Sequence, residues 1–144
     1  MKMVLIKQFK IEPKEDYTNI TQQVQDVITS NNVQEGLCFV YSKHTTACIG
    51  ILEQETLLKK DMHDFMERLA SSNCFYRHDD IEHRDVPPDE RRNGYSHLRA
   101  MLMTNQVFIP IFDGKLDLGK WQRIFYIEHD LGKENRTFNI IIYK

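Results

Sequence analysis

A chain of 144 residues with a formal charge of −2 is long enough to bury a core as one domain. That near-balance excludes recognition of nucleic acid or a membrane surface through overall charge. Cys38, Cys48 and Cys74 are odd in number and form no CxxC pair, so they read as reduced thiols rather than a disulfide scaffold. No apolar stretch approaches a membrane span, and Met1 to Phe9 lacks the long apolar region of a signal peptide, so the expectation is a soluble, cytoplasmic protein.

Along the chain, Val4 to Ile11 reads as a first strand. Ile20, Val24, Val27 and Ile28 recur at helical spacing, with Asp16 or Thr18 as the cap and Asn31-Asn32 as the stop. Gly36 opens a second strand over Leu37–Tyr41, and Ala47–Leu52 resumes extended character up to Glu53. Leu58, Met62, Phe65, Met66 and Leu69 put one apolar face on a helix from about Glu55 to Ala70. Residues 71–92, rich in charge, His and Pro, form a loop whose length marks a functional, mobile or subunit-contact segment. A short helix runs from about Asn93 to Met103. Val107–Phe112 follows as a strand, with Pro110 at an edge or bulge and Asp113-Gly114 as a hairpin turn. Trp121–Glu128 and Thr137–Tyr143 complete the strands around a turn at 130–135. The sum is α+β: one domain over residues 1–144, with no repeats or linker.

Polar groups interrupt or abut these apolar runs in three places: Ser42–Thr46, Asn93–Leu98 and Leu116–Gln122. Polar groups at the edge of a core are costly without partners. His44 belongs either to a strand-end turn whose hydroxyls bond nearby backbone, or to a metal or phosphate site. Asn93 and His97, four apart, share a helix face, unless Asn93 is occupied as a cap. Asp61 falls at the margin of the apolar helix face, either paired or simply solubilising. Gln122 and Glu128 have equal strand parity but are about 20 Å apart at ~3.3 Å per residue. Trp121, on the opposite face, reads as core. Arg136 shares parity with Phe138, Ile140 and Ile142, and can pair with a carboxylate or hold a phosphate. His83, Asp79 and Asp80 read as a solvated face. His78, beside Phe75 and Tyr76, reads as partly buried, and Cys48 reads as packing. No H-E-x-x-H, P-loop, zinc-ribbon or G-x-S-x-G pattern occurs.

Taken together, His44-Thr45-Thr46, Glu53, Asp61, Tyr76-x-His78, Glu90-Arg91-Arg92-Asn93-Gly94-x-x-His97-Leu98, Ile109-Pro110, Gly114-x-Leu116-x-Leu118-Gly119-x-Trp121-Gln122 and the Arg136 strand resemble the YjbQ-type family, often labelled secondary thiamine-phosphate synthase. The resemblance implies β-sandwich-like sheets with about three helices, a homotrimer with sites near subunit boundaries, and a divalent metal such as zinc. It implies His44, His97 and His78 as metal ligands, with Glu53, Asp61 and Glu128 as further ligands, orienting groups or proton carriers. Arg92, Asn93, Gln122, Arg136, Thr45 and Thr46 would hold phosphate. The associated reaction is a weak thiamine-phosphate synthase activity, joining an aminopyrimidine diphosphate to a thiazole phosphate with release of pyrophosphate. The chain departs from the pattern at Tyr95, where a further His often occurs, at Lys120, where Thr is frequent, and at Thr104-Asn105, where Gly is frequent. The absence of a His at 95 leaves any metal with fewer imidazoles and its identity open, and the charge added by Lys120 favours an anionic ligand. Two rivals share the pocket or dispense with it: a non-catalytic module that binds a phosphorylated metabolite or regulates a partner, and a purely structural assembly protein.

Overall fold

The computed structural model describes residues 2–144; Met1 and the side chains of Met3 and Val4, part of the apolar start expected for the first strand, lie outside the described residues. In chain order the elements are β1 (Met3–Ile11), β2 (Tyr17–Asn19), α1 (Thr21–Ser30), β3 (Gly36–Tyr41), β4 (Ala47–Glu53) and α2 (Thr56–Leu69). Then come α3 (Gly94–Met101), β5 (Gln106–Phe112), β6 (Lys115–Leu116), β7 (Gln122–Glu128) and β8 (Arg136–Tyr143). Two short 3-10 turns, Arg77–Asp79 and Ile81–His83, break the long segment between α2 and α3. The strands form two antiparallel sheets, one ordered β1-β8-β3-β5-β6 and a smaller one ordered β2-β7-β4. With three α-helices, this is the α+β class expected. Among the described residues no helix is long and apolar enough to cross a membrane.

Alternation places the layers. Val107, Ile109 and Ile111 of β5, Cys38 and Val40 of β3, and Phe138, Ile140 and Ile142 of β8 point to one face. There they meet Ala47 and Ile49 of β4, Ile124 and Tyr126 of β7, and the apolar stripe Val24, Val27 and Ile28 of α1. Each fully buried Ile among them contributes roughly 1.5–3 kcal/mol. The small sheet is covered on its other side too: Tyr17, Cys48, Phe125 and Ile127 pack with Met62 of α2 and Ala100 and Met103 at α3. Coverage of both faces explains why β7 reads as an unbroken apolar run rather than an alternating one.

Several expectations are corrected. Thr18 lies in β2, not at a helix cap; the Thr21 amide instead donates to Asn19 Oδ1 at 2.9 Å. Trp121 is not core. The strand begins one residue later, after a turn in which the Gly119 amide donates to Gln122 Oε1 (2.8 Å), and the indole is 62% exposed. Phe65 and Leu69 also face outward; of the α2 stripe only Met66 is buried. Asp79 is buried, not solvated: its carboxylate accepts from the Tyr76 and Gly94 amides. Pro110 lies where β5 has lost its outer neighbour, since β6 pairs only with Ile111 and Phe112. Asp113 and Gly114 both have positive φ (47° and 74°), as the hairpin turn requires.

Candidate functional site

The Ser42–Thr46 turn carries the chain from β3 in the large sheet to β4 in the small one, so it sits where the two sheets meet. Its neighbours are the end of β7 and the start of β8, because Ala47 pairs with Glu128. Backbone bonds from Ser42 N to Asn105 O (2.9 Å) and from Ile49 N to Thr104 O (3.1 Å) bring the segment after α3 alongside. Between the turn and α3 lies a cleft of about 390 Å³. Lys43, His44, Thr45, His97, Thr104 and Asn105 supply its polar lining, Tyr41, Met101 and Met103 part of the apolar remainder, and among the described residues none of its lining is a carboxylate. The two imidazoles singled out in separate segments therefore face one space.

His44 is held in a defined state. The Thr137 amide donates to its Nε2 at 3.0 Å, with Thr137 Oγ1 3.4 Å from the same atom. An N–H donor needs a lone pair on Nε2, so the neutral ring carries its proton on Nδ1. Burial first, then the Arg136 and Lys43 charges, push the His44 pKa below its ordinary value. The Thr137 backbone acts in the opposite sense on the pKa, while its amide nitrogen is the atom in hydrogen-bond contact with Nε2. His97 is likewise lowered, by burial and then by His78, against the opposing Asp130 and Glu90 carboxylates.

Behind the turn is a buried ion pair. Arg136 spans Glu128, with Nη2 to Oε1 and Nε to Oε2 both at 2.7 Å; the second contact is an ionic approach without hydrogen-bond alignment. The same Nη2 donates to Thr46 Oγ1. Burial raises the Glu128 pKa, opposed by Arg136 and by the Asp130 amide donating at 3.0 Å. Tyr126 O–H reaches Glu128 Oε2 at 3.3 Å. Neither Arg136 nor Glu128 lines the cleft.

The remaining expected residues are spread wider. His78 packs on His97 with ring centroids 4.5 Å apart, and its Nε2 is 3.7 Å from Glu90. Asn93 does not cap α3 with its side chain; its Nδ2 donates to Asp130 at 2.8 Å, and the other Asp130 oxygen holds Arg91. Thr45 is exposed in the cleft wall, whereas Thr46 is buried. Glu53 and Gln122 pair with each other at the far end of the β4–β7 ladder, about 20 Å from Glu128 at ~3.3 Å per residue. Both are exposed, as are Asp61 and Arg92, and none of the four lines the cleft. Within this chain the imidazoles do not fit a three-ligand metal site. His44 Nε2 is already an acceptor, and among the described residues no cluster of three or more His, Cys, Asp or Glu side chains is placed to hold an ion. Sequence reasoning missed Asp130 and His129. Both are buried just past β7, where a charged pair before a Gly looks like a solvent turn.

The family model described as UPF0047 protein YjbQ-like matches residues 7–144. The chain belongs to the YjbQ-like family. A UPF0047 protein of Archaeoglobus fulgidus is 36% identical over 128 residues, covering 89% of this chain and 92% of its own length. One from Methanothermobacter thermautotrophicus is 33% identical, covering 86% and 80% respectively. Among solved structures, a YjbQ-like protein of unknown function from Sulfolobus solfataricus superposes with a TM-score of 0.85 at 24% identity, covering 98% of each chain; that likeness concerns the fold. A hypothetical protein from Aeropyrum pernix gives 0.84 at 26% identity, covering 97% of this chain and 98% of its own.

Proposed function

We propose that this YjbQ-like chain binds a small phosphorylated organic metabolite in the cleft between the His44 turn and α3. The observation that carries the reading is His44 itself. With Nε2 closed by the Thr137 amide, its Nδ1–H is the donor left to serve a ligand, beside the Lys43 ammonium and the Thr45 hydroxyl. Donors without competing carboxylates suit an oxyanion. The apolar share of the lining and a volume several times that of a phosphate group suit an organic moiety attached to it.

Catalysis, where it occurs, would use the same donors. In a transfer of the thiamine-phosphate synthase type, charge gathers on the departing pyrophosphate, and Lys43, His44 Nδ1–H and Thr45 would neutralise it. The family resemblance supplies that reaction class; the donor-lined cleft supplies only the anion subsite. A regulatory binding module needs no more than the subsite. Among the described residues the imidazoles of one chain do not form a metal ligand set.

The test is calorimetric titration of purified protein with inorganic pyrophosphate, with and without zinc, for the wild type, His44→Ala and His97→Ala. A hydrogen bond to a charged group contributes about 1.5–3 kcal/mol. His44→Ala is therefore expected to lose tenfold or more in affinity, and His97→Ala, which removes a lining ring that is not among those donors, less. Absence of wild-type binding removes the anion reading. Zinc bound at one ion per chain and lost in both variants would overturn the donor role of His44 and restore the metal role. Product formed from the two thiamine precursors, and lost in His44→Ala, would separate the transferase from the binding module.

A further inference from the structure

We propose that Arg136 is a positioning residue, not an anion holder: with Glu128 as counter-charge, it locks the His44 turn so that the imidazole presents Nδ1–H to the cleft. The inference rests on the reading of His44 as a donor. The start of β8 makes two successive contacts with that turn. The Arg136 side chain donates to Thr46 Oγ1, and the next residue's amide, Thr137 N–H, donates to His44 Nε2. The turn is thus clasped at its middle residue, His44, and at its last, Thr46, by two neighbouring residues of one strand. His129 N donates to Thr46 O at 3.1 Å, so the Thr46 end is held by backbone as well as side chain.

Glu128 makes the clasp tolerable. A guanidinium 6% exposed would be costly alone, whereas the Glu128 carboxylate neutralises it and, by accepting from Nη2, helps set the direction of that arm. The carboxylate is itself fastened by the Asp130 amide and Tyr126 O–H, so the chain of contacts runs from the small-sheet core to the turn that borders the cleft. Holding the imidazole costs conformational entropy, and that cost is met during folding rather than on ligand binding. Loosening Thr46 frees the turn to move away from Thr137, whereupon Nε2 is released and the Nε2–H tautomer becomes accessible.

The experiment compares Thr46→Val, which removes only the hydroxyl acceptor, with Thr46→Ser, which keeps it. Imidazole nitrogen NMR reads the His44 tautomer directly, and pyrophosphate titration reads the consequence. The expectation for Thr46→Val is a folded protein with His44 shifted from a single Nδ1–H form to a mixture, and affinity reduced about tenfold, while Thr46→Ser matches the wild type. A folded Thr46→Val with His44 still wholly Nδ1–H overturns the proposal. Should Thr46→Val fail to fold, Arg136→Lys serves in its place: it keeps the charge against Glu128 but lacks the second arm for Thr46, and an unmoved His44 tautomer there overturns the proposal equally. Because the tautomer is read without ligand, a wild type that binds no pyrophosphate sinks the anion reading while leaving this inference to the NMR result.

Discussion

At the scale of single residues, His129 is the group most sensitive to acid. It is 5% exposed, and among the described residues its Nε2 has no partner. Burial first, and then the Arg99 charge, bring its pKa down to about 4, against an opposing Asp16. In the unfolded chain the ring titrates near 6.5. Between those values the unfolded state binds more protons, so the stabilisation is complete above about 6.5 and is lost as the pH falls toward 4. Over that window the wild type should lose on the order of 3 kcal/mol through this residue. Urea unfolding at pH 7, 5.5 and 4.5 should show a shallower decline for His129→Asn, not a flat one, because His44 and His97 are shifted in the same direction. Identical slopes for variant and wild type would mean that the buried ring is not the source. Sequence inspection had little chance here: His129 follows an apolar strand like any turn residue, and only the packing of α3 against β7, with Ser96 Oγ donating to the His129 carbonyl at 2.6 Å, shows that it is enclosed.

Among the elements, the junction of the 3-10 turn at Arg77–Asp79 with α3 positions His78 against His97. Gly94 allows it. A Cβ there would lie 2.6 Å from Tyr76 Cβ and 3.2 Å from Asp79 Oδ1, and the Gly94 amide is needed by Asp79. Gly94→Ala must therefore push the turn from the helix, at a cost of about 1–3 kcal/mol typical of overpacking. Chemical denaturation should register that loss, and pyrophosphate affinity should fall with it as His97 loses its neighbour; a variant as stable as wild type would show the junction to be slack. Regular elements were legible: α2 is capped by Glu55, whose carboxylate accepts from Leu57 and Leu58, and ends at Ala70, the bounds that the apolar spacing predicts. β2 was not, since three residues carry too little pattern to register as a strand. Trp121 misled for a related reason. A large aromatic preceding an apolar run looks continuous with it, yet the Gly119–Gln122 turn decides where the strand begins.

For the whole molecule, the outward face of the large sheet carries a cluster of aromatic side chains. Phe39 and Phe108 stack there at 4.5 Å and Phe39 and Tyr41 at 5.8 Å, while Phe108 and Phe112 are 54% and 59% exposed. An apolar cluster of this kind is a candidate association surface. The homotrimer implied by the family resemblance would use it. Sedimentation velocity should give a trimer for the wild type and smaller species for Phe108→Lys with Phe112→Lys; a monomeric wild type at tens of micromolar protein would discard the idea. Exposed Trp121 with Lys120 over its ring, and Glu53 and Gln122 nearby in the ladder, remain far from His44 within one chain.

What could be had from the order of residues alone was whatever repeats locally: strand alternation, helix stripes, the Asp113-Gly114 turn, the family membership, and the pairing of His44 with His97 as the polar positions to watch. Those signals are short-range, set by backbone geometry over a few residues. Which charges are buried and whom they meet was settled by folding. Strand parity put Arg136 at the rim of an apolar face, but nothing local separates Glu128 from an exposed carboxylate such as Glu134 or names the two as partners. Arg136 and Glu128 become an internal pair, and His44 a fixed donor, because two sheets converge at the Ser42–Thr46 turn and bury the two charges against each other.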